Sequence, residues 1–433
     1  MAEPSPIIML VYLLLLVTVY VLIMTEVVHK SIATLTGATI GVILGNFLGI
    51  LDITEIVNYI DFKTLGLVIG LMILVDVSGR SGLFQFVALK AIRFSGYRPR
   101  RLFVIFCLLT AFLSGIIGNI TAMLIIGTLT VLTLTPLKVD PVPFLIAEVI
   151  VSNVGELMTV IGGIPPILIA RASGLSFIEY TTFSMPFCIA LTLITTNILL
   201  LVFKDRIPSR FEFDVEIFEE IDPWMVVTDK KLFWTSLAII SLTLVLFVIY
   251  EKLNLTLEFV AILGAVLILL ISGVDPGDVF KNLEWDTIFF FIGFFVLVGS
   301  IERSGLLEEI AKELSHVVGS NLLIAVFALI WIGGILSAFI DNIPVTMTFI
   351  PVVKSLSLLT GIDIAPLWWA LLYGVSFGGN FTPIASAPGV IMLGIAKKEG
   401  YNISFKEFVK IGAPLALLQL LISSMFVIAA FWR

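Results

Sequence analysis

Apolar stretches of about 20 residues recur along the whole sequence, and no other feature constrains the fold as much. A helix of that length crosses the hydrocarbon core of a bilayer, which is about 30 Å thick. Of the 433 residues, 59% are hydrophobic and only 13% are charged. Because a soluble domain does not expose so much apolar surface, the sequence predicts an all-α polytopic protein of the plasma or inner membrane. Lipid is its expected surroundings, and nucleic acid is not an expected partner.

The apolar stretches predict full-length helices and four interrupted segments. The full-length helices are expected at about 7–26, 31–50, 63–79, 180–203, 231–250, 255–273, 286–302 and 411–431. Broken helices are expected at about 140–171 and 363–396. Re-entrant hairpins are expected at about 101–134 and 321–357, which are interrupted near the middle by Gly118-Asn119 and by Asp341-Asn342-Ile343-Pro344. Interrupted segments in corresponding places of two halves indicate the binding site of a transporter.

The two halves repeat one another. A shift of 223 positions, without gaps, places residues 41–165 on residues 264–388. The matches include Gly70 with Gly293, Asn119 with Asn342, Gly155 with Gly378, Thr159 with Thr382, and Arg80-Ser81-Gly82-Leu83 with Arg303-Ser304-Gly305-Leu306. The sequence therefore predicts two repeats, 1–203 and 231–433, joined by an acidic cytoplasmic linker at 204–230. Each repeat holds five transmembrane helices, one of them broken, and one re-entrant hairpin.

An odd number of crossings per repeat turns the second repeat upside down. Cytoplasmic segments of membrane proteins carry an excess of Lys and Arg. If Arg80–Arg101 is cytoplasmic, 18 of the 25 Lys and Arg residues fall in cytoplasmic segments. The equivalent segment of the second repeat, 302–320, has lost its positive excess. Both termini are therefore predicted to lie outside.

Polar groups at membrane depth must line protein or water rather than lipid. Glycine and proline in the four interruptions free carbonyl groups, which bind cations, and helix N-termini, which bind anions. The alternative for the small residues is close helix packing. The candidate substrate- or ion-binding residues are Ser114, Asn119, Thr121, Asn153, Gly155, Glu156, Thr159, Asp341, Asn342, Gly378, Gly379, Asn380 and Thr382. Sodium ions are candidates at Asn119 with Glu156 and at Asp341 with Asn342.

Four carboxylates fall in apolar runs, where a charge is costly. Asp341 is predicted to bind an ion or proton, with a helix-capping role as the alternative. Glu156, whose partner position is Gly379, is predicted to couple transport to protons, with simple hydration in a vestibule as the alternative. Asp76 precedes Arg80 by four residues, which favours an ion pair within one helix. Glu148 is expected to be structural.

The sequence argues against an enzyme. Gly374-Val375-Ser376-Phe377-Gly378 fits the nucleophile pattern of serine hydrolases, but that motif needs a strand-to-helix elbow and a histidine base. Here it lies in an apolar helical stretch far from His29 and His316. No nucleotide- or cofactor-binding fingerprint is present, so no cofactor is expected beyond sodium ions or protons as coupling ions. Cys107 and Cys188 fall in apolar segments and are expected to be buried thiols.

The second hairpin carries a family resemblance. Ala338-Phe339-Ile340-Asp341-Asn342, followed by Ile350-Pro351, resembles the LSAFLDN…P hairpin of the Ion Transporter superfamily, in its arsenite-permease and sodium–proton-antiporter branch. Residues 26–30, 60–65 and 145–150 resemble the melanosomal member of that branch. The resemblance implies a permease with a citrate-transporter-like domain, usually a homodimer, in which a transport domain moves against a scaffold like an elevator. It implies arsenite, dicarboxylates, citrate, sulfate, or sodium exchanged for protons as substrates.

The first half departs from the family pattern. Gly118-Asn119 stands where the family has Asp-Asn, and 153–167 departs from N-I-G-G-x-x-T-x-I-G-D-P-P-N. The second Gly of that pattern is Glu156, its Asp is displaced by Gly163-Ile164, and its last Asn is Ile167. The first ion site is therefore either lost or rebuilt around Glu156.

These observations predict a secondary active transporter of a small inorganic or carboxylate anion, of the arsenite, citrate or dicarboxylate type, coupled to sodium or protons. A sodium/proton antiporter is the alternative. A passive channel is a minor alternative, because it would need a continuous polar stripe along several helices.

Overall fold

The computed structural model describes residues 5–25, 27–96, 98–135, 137–209 and 222–432, and all regular structure in these ranges is helical. Within these described ranges, eight helices are long and apolar enough to cross a membrane. They are Pro6–Thr25, Phe62–Arg80, Pro99–Ile117, Phe177–Val202, Lys230–Leu253, Trp285–Arg303, Asn342–Thr360 and Phe405–Phe431. The predicted all-α membrane fold is confirmed.

The described helices are numbered in chain order. In the first half they are α1 Pro6–Thr25, α2 Lys30–Phe47, α3 Phe62–Arg80, α4 Leu83–Phe94, α5 Pro99–Ile117, α6 Asn119–Leu134, α7 Val142–Gly155, α8 Ile164–Ser173 and α9 Phe177–Val202. In the second half they are α10 Lys230–Ile249, α11 Leu257–Ser272, α12 Pro276–Asn282, α13 Trp285–Arg303, α14 Leu306–Val318, α15 Leu322–Ser337, α16 Asn342–Thr360, α17 Ile364–Gly378, α18 Ala387–Lys398 and α19 Phe405–Phe431. Short 3₁₀ helices occupy Ile53–Tyr59, Glu156–Met158, Pro223–Val226 and Tyr250–Leu253.

Helix boundaries recur with the spacing of the sequence repeat. Helices α3 and α13 begin and end 223 positions apart, α6 and α16 begin 223 positions apart, and α7 and α17 end 223 positions apart. Both predicted hairpins are helix–break–helix segments with the break at the predicted place. The opposite orientation of the two halves in a membrane, and the re-entrant course of the hairpins, stay predictions.

Two close helix crossings join the two halves. Helix α2 packs along α13, and α3 packs along α11. A Cβ atom on Gly70 would lie 2.6 Å from the carbonyl carbon of Ala261, and one on Gly293 would lie 2.7 Å from the Leu35 nitrogen. These distances are too short for any side chain, so the matched glycines allow equivalent close crossings.

The interrupted helices form a second packed group. Helix α5 packs on α7 and α15 packs on α17, while α9 packs against the first of these pairs and α19 against the second. The second arm of each hairpin packs on a short helix of the other half, α6 on α18 and α16 on α8. The four breaks therefore lie within one helical group, beside the α2, α3, α11 and α13 crossings.

Several short elements were not predicted. Helices α4 and α14 are amphipathic rather than uniformly apolar, and α12 has only seven residues. A search for long apolar runs passes over all three. Residues 210–221, which hold most of the acidic run of the predicted linker, lie outside the described residues. After them, Trp224 packs on Phe86 of α4 with ring centroids 4.7 Å apart.

Candidate functional site

A cavity of about 530 Å³ lies between α3 and the break of the first hairpin. Its wall is mostly apolar, with a few polar groups on α3 and on the hairpin. The polar and small residues of the wall are Asp76, Gly79, Arg80, Gln85, Gly118, Asn119, Thr121, Gly163, Asn282 and Glu284. None of residues 337–346, around the second break, lines it. The predicted residues Asn119 and Thr121 therefore face this cavity, whereas the residues of the second break do not.

Gly118 makes the first break. Its φ of 88° and ψ of 147° end α5, and α6 begins at the next residue. A residue with a side chain rarely adopts a positive φ of this kind. Because a Cβ atom on Gly118 would meet nothing within 4 Å, the backbone angle alone explains the glycine. The break presents Asn119 at the first position of α6.

Glu156 lies directly behind this break. Helix α7 ends at Gly155, a 3₁₀ turn covers Glu156–Met158, and α8 begins at Ile164. The Asn119 side-chain amide donates a hydrogen bond to Glu156 Oε2, while Oε1 is buried and has no hydrogen-bond partner among the described residues. Only 1% of Glu156 is exposed. The carboxyl group thus lies behind the cavity wall, and the alternative that it is hydrated in an open vestibule is not supported.

Glycine makes room for the Glu156 side chain. A Cβ atom on Gly163 would lie 2.6 Å from Glu156 Oε2, and one on Gly162 would lie 2.3 Å from the Glu156 carbonyl oxygen. The chain therefore folds back over Glu156 between the two parts of the broken helix. Gly163, which also lines the cavity, separates the carboxyl group from it.

The second break is built differently. Asp341 is the N-cap of α16, and its Oδ1 accepts a hydrogen bond of 3.3 Å from the Ile343 nitrogen. Asn342 is buried and accepts a 2.6 Å hydrogen bond from Ser337 Oγ. A Cβ atom on Gly379 would lie 2.8 Å from Asn342 Oδ1, so the Asn342 amide occupies the space that a side chain at position 379 would need. Asp341 has the capping role weighed from the sequence, and its role as an ion site stays a prediction.

Two threonines have the same role in both halves. Thr159 Oγ1 donates to the carbonyl oxygen of Gly115, and Thr382 Oγ1 donates to that of Ala338 at 3.0 Å. Gly115 and Ala338 are themselves equivalent under the repeat. Each threonine satisfies a carbonyl group near the end of the first hairpin arm, where helices lack intrahelical donors.

Three other predicted residues serve close packing. Ser114 Oγ donates a 2.7 Å hydrogen bond to the carbonyl oxygen of Ser152. A Cβ atom on Gly155 would lie 2.2 Å from the Ala111 carbonyl oxygen, and one on Gly378 would lie 2.5 Å from that of Gly334. These residues hold α5 against α7 and α15 against α17, as the packing alternative expects.

A buried amide network joins the two broken helices. Asn153 Nδ2 donates to Asn380 Oδ1 at 2.9 Å and to Ser386 Oγ at 3.0 Å. Asn380 Nδ2 donates to Gln419 Oε1 at 2.8 Å, and Gln419 Nε2 donates to Thr195 Oγ1 at 3.2 Å. Asn153 and Asn380 were predicted, but Gln419, Ser386 and Thr195 were missed. A lone glutamine in the middle of the apolar α19 was the available signal.

The remaining carboxylates and thiols have clear surroundings. The predicted pair within α3 is confirmed, with Arg80 and Asp76 2.8 Å apart. Glu148 is fully buried and accepts a hydrogen bond from Thr130 Oγ1. Cys107 and Cys188 are free and buried, as expected. The serine-hydrolase pattern at 374–378 lies inside α17, not at a strand-to-helix elbow.

Comparison with known proteins adds three findings. Residues 20–374 match a family model described as a citrate transporter. An uncharacterized transporter of Mycobacterium tuberculosis is 33% identical over 412 residues, which cover 94% of this chain and 95% of that protein. The human P protein is 27% identical over 495 residues, covering 96% of this chain but only 59% of the P protein.

Two solved structures share the fold. The YdaH transporter of Alcanivorax borkumensis aligns with a TM-score of 0.63 at 16% identity, covering 94% of this chain and 99% of the YdaH chain. MtrF of Neisseria gonorrhoeae, described with a class of antimetabolite efflux pumps, aligns with a TM-score of 0.58 at 14% identity, covering 87% of this chain and 83% of the MtrF chain. At such identities the likeness concerns the fold alone.

Proposed function

The chain belongs to the citrate transporter family, and on that premise we propose that it is a secondary active transporter of a small inorganic or carboxylate anion. Citrate, dicarboxylates, sulfate and arsenite are the substrates to test first. Sodium ions or protons supply the driving force. The protein is a multi-pass membrane transporter rather than an enzyme, because its family and its relatives are transporters.

The observation that carries the proposal is that the cavity reaches one helix break and not the other. A carrier that works by alternating access needs a central site open to one side at a time. Asn119 and Thr121 of the first break face the cavity, while Asn342 of the second break is buried. This one-sided access fits a carrier better than a channel, which needs a continuous polar path.

An elevator movement fits the two packed groups. The helices that hold the four breaks pack mainly on one another, and the α2, α3, α11 and α13 crossings form the neighbouring group. We infer that the first group moves against the second, carrying the substrate past the apolar wall of α3. A homodimer joined through the second group belongs to the same proposal, and light scattering of the protein in nanodiscs measures it.

Sodium/proton antiport is the second candidate function, and Glu156 favours it. A buried carboxyl group with one unpartnered oxygen suits a cation or proton better than an anion. Among the described residues, Arg80 is the only positive side chain on the cavity wall, and it is already paired with Asp76.

Flux in proteoliposomes separates the two functions. Citrate, succinate, sulfate and arsenite uptake is measured under imposed sodium and pH gradients, and internal pH is followed with a trapped dye. Anion uptake that depends on either gradient supports the first function. A pH change driven by sodium with no anion present supports the second, and flux independent of both gradients contradicts the proposal.

A further inference from the structure

Three buried polar atoms near the end of α7 have no hydrogen-bond partner among the described residues. They are Asn153 Oδ1, Glu156 Oε1 and Ser376 Oγ. No more than 1% of any of the three residues is exposed. Leaving a buried polar atom unpaired costs about 1–3 kcal/mol, so native proteins rarely do so without a reason. Three such atoms in one region indicate that a ligand completes them.

The three atoms come from both halves. Asn153 and Glu156 lie about one helical turn apart on the first broken helix, and Ser376 lies on α17 at the position equivalent to Asn153. Helices α7 and α17 are in contact, and the Ser376 side chain lies beside the Glu156 carboxyl group. The second half has no matching carboxyl group, because Asn342 fills the space at Gly379. The boundary between the halves therefore holds one such site, not two.

The three atoms without a hydrogen-bond partner are better suited to bind a proton than a metal ion. Both Nδ2 hydrogens of Asn153 are used by Asn380 and Ser386, and Asn119 donates to the other Glu156 oxygen. What remains is a carboxyl oxygen, an amide oxygen and a hydroxyl group. A proton on Glu156 Oε1 supplies the missing hydrogen bond directly. A hard metal cation would need about six oxygen ligands.

The ionisable groups around Glu156 are all acids. Asp341 acts on the Glu156 carboxyl group from the start of α16, and the charge of Glu156 in turn acts on Tyr180 and Cys188 of α9. Tyr373, one turn before Ser376 on α17, donates to Ser184 Oγ at 3.1 Å. No fixed positive charge among these neighbours neutralises the carboxylate, so a bound proton is left to do so.

We propose that Glu156 Oε1 holds a single coupling proton and that Ser376, from the other half of the chain, is its positioning residue. The proton is taken up from water on one side of the membrane and returned to water on the other, with no change of redox state. This deepens the proposed function and rests on it. It also explains the glycines around Ser376, since Cβ atoms on Gly374 and Gly378 would lie 2.6 and 2.5 Å from backbone carbonyl oxygens of α15. They let α17 approach α15 closely and so fix where the serine lies.

The test measures substrate flux against pH in proteoliposomes for Ser376→Ala, with Ser376→Thr as the conservative variant. Ser376→Ala should move the midpoint of the pH profile by about half a unit to one unit, because the hydroxyl group that lies beside the Glu156 carboxyl group is lost. Ser376→Thr should restore the wild-type midpoint. Ser424→Ala is the matched control, because Ser424 is equally buried but donates to Leu420 of its own helix at 2.8 Å. It should leave the midpoint unchanged.

A double variant separates positioning from packing. In a Glu156→Gln background, Ser376→Ala should have no further effect on the pH profile, and proton uptake per substrate should fall by one in both. An unchanged midpoint in Ser376→Ala, or an equal shift in the Glu156→Gln background, would overturn the proposed site. If Ser376→Ala does not fold, Ser376→Cys takes its place, and its pH midpoint is compared in the wild-type and Glu156→Gln backgrounds in the same way. Wild-type flux that needs sodium and ignores pH overturns this site alone, whereas flux independent of both ions overturns the proposed function.

Discussion

The two hairpin breaks occupy equivalent positions but differ in chemistry. The first turns at Gly118 with a positive φ, opens to a cavity and places Asn119 on Glu156. The second turns through Asp341 with a φ of −50°, and its Asn342 is held by Ser337 and covers Gly379. The carboxyl group thus belongs to the broken helix in one half and to the hairpin in the other. A repeat keeps the helix geometry while the polar groups change separately in each copy.

The orientation of the two halves in the membrane has the largest expected effect. If the halves are inverted, a reagent on one side of the membrane labels a cysteine in one half and not in the other. Lys90→Cys on α4 and Val317→Cys on α14 are both exposed positions, and the native cysteines are buried. An impermeant thiol reagent on intact cells should label position 317 and not 90. Equal labelling of both contradicts the inversion.

Glu156→Gln should have the largest effect on transport. The amide keeps the size of the side chain but cannot take up a proton. Coupling between an ion and a substrate is typically about 5- to 150-fold in affinity, and that enhancement should disappear. The pH profile of flux should flatten, while folding, judged by gel filtration, stays intact. Strong sodium dependence with an unaltered pH profile would show that Glu156 does not bind the proton.

Gly118→Ala tests the backbone of the first break. A side chain at a φ of 88° costs about 1–3 kcal/mol of strain, so the melting temperature in detergent should fall. Gly394→Ala is the control, because a Cβ atom there meets nothing within 4 Å and the residue lies within α18 at no positive φ. The second break contains no residue with positive φ, so it needs no glycine. Equal melting temperatures for the two variants would show that the first break does not require a glycine at position 118.

Asp341→Asn should have a smaller effect than Glu156→Gln. Asparagine is as good an N-cap as aspartate, so α16 should keep its first turn. If the charge contributes to ion binding, flux should fall by about 5-fold, near the lower end of such couplings. The sodium dependence should change more than the pH profile. Wild-type flux with unchanged ion dependence would leave Asp341 with the capping role alone.

Arg206 has no counterpart in the second half, and its loss should have the smallest effect. It lies 2.6 Å from both Asp140 and Glu407, bridging the end of α9 to α19. Partial burial works to lower the pKa of Arg206, but hydrogen bonds and charges from the two carboxylates raise the pKa above its ordinary value. Arg206 therefore keeps its positive charge up to strongly alkaline pH. Since the side chains are partly exposed, Arg206→Gln should cost less than about 1 kcal/mol in thermal unfolding. A larger loss would mean that the bridge clamps the halves together.

The sequence by itself determined the features that depend on neighbours along the chain. Apolar length predicted the spans, because a bilayer needs about 20 residues per helix. Gly118 and Asp341 marked the breaks, and the spacing of Asp76 and Arg80 predicted their ion pair, because residues four apart share a helix face. The 223-residue shift predicted where helices of the second half begin and end.

Only the tertiary structure decided which polar residues meet. Asn153 binds Asn380 across 227 positions of sequence, and Ser376, dismissed as a misleading motif, lies beside Glu156. Such partners depend on how whole helices cross, which no local period specifies. The same holds for the cavity, because the residues that line it come from helices far apart in the chain. The two breaks occupy equivalent positions of the sequence repeat, but the packing of the surrounding helices gives their polar side chains different partners.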